Sequence, residues 1–200
     1  MAASKAARVV QSARGRPVID FGLRRAHGTD AGLKASRSQY LAGAVATSNV
    51  LAGRTFGIPV AGTMAHSYVS AHATEMEAFR AFTRSYPDTV LLIDTYDPRE
   101  RARNVVRLAQ ELGDDFAVTG VRIDSGDLVA NVEAVREILD EWGLRTVQIF
   151  VSGGLDEHAI ERLLEAGVRC DGFGVGTKMG TSADAPSLDA IYKLVEYEGR

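Results

Sequence analysis

The 200-residue sequence has one cysteine, Cys170. A lone thiol excludes an internal disulfide framework and any zinc site built on several cysteines. Cys170 is expected to be a buried structural residue. No apolar run approaches the roughly 20 residues of a membrane-spanning helix. The opening residues MAASKAARVVQSARGR are basic but lack the unbroken apolar core of a secretory leader. An excess of one charge is lacking too: 23 Lys and Arg stand against 26 Asp and Glu, a net charge of −3. No basic surplus calls for nucleic acid, and there is no polybasic or acidic tail. No HxH, HExxH or CxxC spacing occurs, so no dedicated transition-metal motif is present. The expectation is a cytoplasmic protein without nucleic-acid or membrane partners. What is present, 46% hydrophobic and 24% charged residues, suits one globular domain with a sizeable core.

The second half of the chain has a clear rhythm. TVLLI at 89–93 is a β-rich apolar run. Asp97 then reads as an N-cap, Pro98 as the first helical residue and Glu100 as a capping-box partner. The helix extends over 98–112, with Val105, Val106 and Leu108 on one face and Gly113 as its stop. The pattern repeats with strands at 117–123, 146–151 and 170–175 and helices at 128–142 and 156–166. Trp142 is placed on the apolar stripe of the 128–142 helix. Alternation with a period of about 30 residues predicts βαβ units and a parallel sheet. The first half is less regular. It suggests a helix at 2–13, a strand at 17–19, an interrupted helix at 39–53, a strand at 58–61 and a helix at 75–84. Residues 188–200 show no clear structural ending.

Each strand is followed by polar or glycine-rich residues: DFGLRR, GTMAHS, DTYD, RIDSGD, SGG and GFGVGT. In a (β/α) barrel the loops after the strands converge on one face, which is where active sites lie. The glycine turns SGG and GFGVGT suit an anion, because glycine lets backbone N–H groups approach it closely. Arg24 and Arg25 form a guanidinium pair suited to phosphate or carboxylate, and Asp20 could orient one of them. Asp124 is a candidate for ribose hydroxyls or Mg²⁺. Asp127 reads as the cap of the next helix. Asp94 stays open between a site role and a structural one. His66, on the same face, is a candidate nucleophile or general acid/base. His27, His72 and His158 have no such support.

Together the segments DFGLRRAHG, ATSNVLAG, IPVAGTMAHS, IDTYD, VRIDSGDL, FVSGGLDE and DGFGVGT resemble the nicotinate phosphoribosyltransferase family in order and spacing. The resemblance covers nearly the whole chain. It implies an α/β fold, an incomplete or irregular (β/α) barrel of the type II phosphoribosyltransferase kind. It implies formation of nicotinate mononucleotide from nicotinate and phosphoribosyl diphosphate in NAD biosynthesis, with Mg²⁺ and coupled ATP hydrolysis through a phosphorylated histidine. That histidine corresponds to His66. Phe21 would stack on the pyridine ring, and Arg24 and Arg25 would contact substrate. Arg122, Asp124, Ser125 and Gly126 would face the ribose and diphosphate. Ser152, Gly153, Gly154, Gly174, Gly176 and Thr177 would hold the 5′-phosphate. Ser48, Asn49 and Thr63 lie in matching motifs and are further implied substrate contacts. Mg²⁺ would be held mainly by the substrate phosphates.

The family is longer than this chain and forms homodimers. Residues 1–200 are therefore expected to be a single, partial barrel domain without the family's N-terminal α/β domain and C-terminal part, with an inactive fragment as one reading. The alternatives are a non-catalytic ribose-phosphate-binding barrel fragment and a nicotinamide phosphoribosyltransferase. A different barrel enzyme, with Lys178 as its base, is a third.

Overall fold

The computed structural model describes residues 2–182 and Glu196. Residues 188–200, the stretch with no clear ending, lie outside the described residues apart from Glu196. In chain order the elements begin with α1 (Ala2–Ser12), β1 (Val18–Asp20), α2 (Thr29–Leu41), β2 (Ala46–Thr47) and α3 (Val50–Phe56). They continue with α4 (His66–Ser70), α5 (Glu75–Ser85), β3 (Val90–Leu92), α6 (Pro98–Leu112), β4 (Gly120–Ile123) and α7 (Leu128–Glu141). The last are β5 (Gln148–Val151), α8 (Glu157–Glu165), β6 (Gly172–Val175) and α9 (Thr177–Gly180). The chain forms two compact units, one of Met1–Ala61, Gly154–Glu157 and Val175–Arg200, the other of Gly62–Gly153 and His158–Gly174.

The second unit follows the predicted rhythm. Strands β3, β4, β5 and β6 pair in parallel, with Val90 opposite Gly120, Gly120 opposite Gln148, and Val151 opposite Phe173. Parallel neighbours need a crossover, and α6, α7 and α8 supply it. Leu91, Ile93, Val121, Ile123, Ile149 and Phe173 are fully buried, as are Val105 and Leu108 of α6 and Val132 and Leu139 of α7. Asp97 caps α6 by accepting from Arg99 N–H at 2.9 Å, and Asp127 caps α7 by accepting from Ala130 N–H at 3.1 Å. Two expectations need correction. Glu100 does not reach back to the cap; it pairs with Arg103 one turn on. The capping box lies instead at α5, between Thr74 and Glu77. Trp142 lies past the last helical residue, as the C-cap of α7, and is 56% exposed rather than on the buried stripe of Val132, Val135 and Leu139.

The first unit departs further from the periodicity. The expected helix at 39–53 is replaced by α2, β2 and α3. Gly43 breaks it with φ 109°, a left-handed conformation that favours glycine. Asn49 then starts α3 by accepting from Ala52 N–H at 3.1 Å. The expected strand at 58–61 is reduced to one bridge, Thr47 to Val60. Helix α2 escapes a hydrophobic reading because it buries Gly32, Ser36 and Gln39. Those positions share one face, but the face is polar.

The reason is Asp20, at the end of β1 and 2% exposed. Its carboxylate accepts from Gly22 N–H at 2.7 Å, Ser36 Oγ at 2.8 Å and Thr47 Oγ1 at 2.7 Å. The network also turns the Gln39 amide nitrogen onto both of its oxygens, at 2.8 and 3.0 Å. Asp20 therefore ties β1 to β2 and α2, rather than orienting Arg24 or Arg25 as the sequence suggested. Replacing it with alanine strands several buried donors. The Asp20→Ala chain should lose about 3 kcal/mol or more of unfolding free energy, read from its urea unfolding midpoint.

Candidate active site

The second unit gathers seven side chains around the ends of β3, β4 and β5: His66, Asp94, Thr95, Arg122, Asp124, Ser125 and Ser152. Asp94, two residues past β3, is 6% exposed. Its Oδ2 accepts from the Asp124 N–H at 2.8 Å and from Ser125 Oγ at 2.6 Å. Its Oδ1 is buried and has no hydrogen-bond partner among the described residues. Arg122 projects from β4. Its guanidinium donates to Asp124 Oδ1 at 3.0 Å and Ser152 Oγ at 3.1 Å, and a second nitrogen reaches the Met64 carbonyl at 3.4 Å. Ser152, buried after β5, donates its hydroxyl to the same Asp124 oxygen. Asp124 is thus fixed through its backbone by Asp94 and through Oδ1 by Arg122 and Ser152.

His66 opens the short helix α4, and its side chain is 43% exposed. Its Nδ1 is 3.1 Å from Thr95 Oγ1, and its Nε2 is 3.7 Å from Asp124 Oδ2. The ring is therefore hydrogen-bonded at Nδ1, faces a carboxylate with Nε2 and is open to solvent, as a reacting group needs. Thr63 donates to the Met64 carbonyl at 3.2 Å. Gly153 has φ 92°, and a Cβ there would lie 1.7 Å from the Asp124 carbonyl oxygen. Only glycine lets the SGG turn lie against the Asp124 backbone. Gly174 is buried within β6, and Ser125 and Gly126 are exposed.

The remaining sequence-predicted residues belong to the first unit. Phe21 is half-buried, and its N–H donates to the Val175 carbonyl at 2.9 Å. A Cβ on Gly176 would come 2.9 Å from the Phe21 carbonyl oxygen, so this glycine too is set by a close backbone approach. Arg24 and Arg25 lie on the 3₁₀ turn Leu23–Arg25, Arg24 exposed and Arg25 half-buried. The Ser48 N–H donates to the Asp20 carbonyl at 2.8 Å. Asn49 is spent on capping α3 and on Ser36 Oγ, 3.3 Å away. Gly154 has open space around it, and Thr177 begins α9. Lys178 pairs with Asp156 at 3.0 Å, which does not suit the free base that a different barrel chemistry would need.

Sequence reasoning missed Thr95 and the Glu75–Arg101 ion pair, whose Glu75 feels the charge of Asp94. Glu75 begins α5 and is ion-paired with Arg101 of α6. Burial pushes the Glu75 carboxyl up to about 7; Arg101 opposes the shift and the charge of Asp94 adds to it. No group of three or more His, Cys, Asp or Glu side chains is placed to hold a metal among the described residues.

Among solved structures, nicotinate-nucleotide pyrophosphorylase from Pyrococcus furiosus matches with a TM-score of 0.77 and 31% identity, over 94% of this chain and 48% of that one. Human nicotinic acid phosphoribosyltransferase matches with a TM-score of 0.77 and 31% identity, over 88% and 46%. The class is thereby set: an α/β fold of the type II phosphoribosyltransferase kind. The model of the nicotinate phosphoribosyltransferase (NAPRTase) family matches residues 17–196, and the chain belongs to that family. Nicotinate phosphoribosyltransferase pncB2 of Mycobacterium tuberculosis is 58% identical over 197 residues, covering 98% of this chain and 42% of that protein. The Bacillus subtilis nicotinate phosphoribosyltransferase is 44% identical, covering 98% and 40%. The chain spans about two-fifths of the length of these curated relatives. The resemblance carried by the seven motifs holds.

Two outcomes follow from this geometry. Gly153→Ala meets both a positive φ and the Asp124 carbonyl, so it should cost about 3 kcal/mol or more in chemical denaturation. Glu75, raised from its ordinary 4.5 to about 7, binds a proton in the folded chain that the unfolded chain has released. Its contribution to stability is full below about pH 4.5 and is lost as pH rises through about 7. Thermal unfolding of Glu75→Gln should therefore fall off less steeply over that interval than the wild type.

Proposed function

We propose that this chain carries the phosphoribosyl-transfer centre of a nicotinate phosphoribosyltransferase. The reaction makes nicotinate mononucleotide and diphosphate from nicotinate and phosphoribosyl diphosphate, coupled to ATP hydrolysis, as a cytoplasmic step of NAD biosynthesis. The observation that carries this is His66 set between Thr95 and an Asp124 carboxylate that Arg122 and Ser152 lock in place.

In the transfer, the pyridine nitrogen bonds to ribose C1 while the C1–oxygen bond to diphosphate breaks. C1 gains oxocarbenium character, and the fixed negative charge of Asp124 opposes that developing positive charge. Arg122, already anchored at two points, offers charge to the phosphate side without reorganising. Mg²⁺ bound by the diphosphate would neutralise the leaving group. Ser125, Gly126 and Asp124 face the ribose and diphosphate, with Thr63 beside His66 as a further substrate contact. Ser152, Gly153 and Gly174 line the phosphate turns. In the first unit, Phe21 is the stacking surface for the pyridine ring, and Arg24 and Arg25 are substrate contacts. Ser48, Asn49, Gly154, Gly176 and Thr177 support substrate binding there. His66 accepts the γ-phosphoryl of ATP: a nitrogen–phosphorus bond forms, the bond to ADP breaks and the ring releases its proton. Residues 1–200 act as one barrel-type domain of a homodimeric enzyme.

The test uses the purified chain with γ-labelled ATP, Mg²⁺, nicotinate and phosphoribosyl diphosphate, following nicotinate mononucleotide and acid-labile label. Label and product are expected with the wild type, and neither is expected with His66→Ala. The half-exposed ring makes that variant tolerable to the fold. Label without product would assign the pyridine step to further polypeptide of the family's length. Absence of both from a folded sample would favour a non-catalytic ribose-phosphate-binding fragment.

A further inference from the structure

One hydroxyl at the histidine has no part in the chemistry above. Thr95 follows Asp94 past the end of β3, with its Oγ1 3.1 Å from His66 Nδ1. Across the ring, Nε2 lies 3.7 Å from Asp124 Oδ2. Asp124 Oδ1 is already occupied by Arg122 and Ser152, so Oδ2 is the oxygen left to face the imidazole. An ionised carboxylate accepts hydrogen bonds and donates none. Beside Nε2 it favours the neutral tautomer with the proton on that nitrogen. Nδ1 then holds the lone pair, and the Thr95 hydroxyl must be the donor. Thr95 Oγ1 has no other hydrogen bond among the described residues, so its proton is free for this.

We propose that Thr95 is a positioning residue that donates to His66 Nδ1 and, with Asp124, holds the ring in a single orientation with Nε2–H toward the carboxylate. A half-turn of the ring about its bond to the chain would set carbon atoms against both neighbours and lose both interactions. The consecutive residues Asp94 and Thr95 therefore set both flanks of the histidine: Asp94 through the Asp124 backbone and Ser125, Thr95 through the ring itself. The consequence for turnover rests on the reading of His66 as the phosphoryl acceptor. The tautomer and the hydrogen bond do not.

The test is nitrogen NMR of the chain labelled with ¹⁵N-histidine, at a pH where His66 is neutral, with His66→Gln assigning its signals. Wild type, Thr95→Val and Thr95→Ser are compared. The wild type should show Nε2 protonated and Nδ1 unprotonated but hydrogen-bonded. Thr95→Val should move the Nδ1 resonance toward that of an unbonded ring nitrogen, and Thr95→Ser should restore it. A wild-type ring protonated at Nδ1 overturns the proposal without any variant. An unmoved Nδ1 resonance in folded Thr95→Val overturns it as well. If no variant, nor the wild type, takes label, the phosphoryl-acceptor reading fails while the nitrogen resonances still decide the role of Thr95.

Discussion

The Asp124 carboxylate has two oxygens, and the second unit's loops are arranged around how they are shared. Oδ1 takes Arg122 and Ser152, which come from β4 and from the end of β5. Oδ2 is left for His66. The backbone beneath is clamped twice, by Asp94 on its N–H and by Gly153, which lies against its carbonyl. A carboxylate on a flexible loop would contribute little, because ordering it would cost most of what the contacts return. Here the ordering comes from neighbouring strands that are already paired, so the charge is preorganised.

The same local design recurs. At or just past the ends of β1, β3 and β4 an isoleucine is followed directly by an aspartate: Ile19–Asp20, Ile93–Asp94 and Ile123–Asp124. Ile93 and Ile123 are fully buried, and each is followed at once by a carboxylate that accepts from the end of the neighbouring strand, Ser125 for Asp94 and Ser152 for Asp124. The chain leaves the apolar layer there, and loop N–H groups lose their ladder partners. An aspartate can satisfy them through a short side chain, which a glutamate at the same place would overshoot. The three aspartates are put to different uses. Asp20 is wholly structural in its contacts, Asp94 braces a loop, and Asp124 faces the histidine.

How much was legible in the sequence follows from which face of each element is apolar. Helices α6 and α7 announce themselves because their caps, Asp97 and Asp127, and their apolar stripes coincide. The parallel βαβ order follows from them. Helix α2 does not, because its inward face is Gly32, Ser36 and Gln39, chosen to meet a carboxylate rather than a hydrocarbon layer. His66, Arg122 and Asp124 could be singled out as residues, but their mutual geometry depends on register between β4 and β5. Thr95 gives no signal, since threonine after a strand is common. Glu75 and Arg101 sit on separate helices, and no spacing rule connects them. The glycine turns were read for anion binding. At Gly153 and Gly176 the structure adds a second cause, backbone packed directly on backbone.

The polar hub of the first unit bears on how that unit assembles. Asp20 needs donors from the turn after β1, from β2 and from α2, and none of these is adjacent in the chain except Gly22. Until all have arrived, its carboxylate is better off in water than in the interior. A half-built unit would have to bury it with too few partners, at a cost comparable with the stability of the unit itself. Apolar cores tolerate gradual, loosely packed assembly. A buried acid with a fixed set of donors does not, so β1, β2 and α2 form and open as one cooperative block.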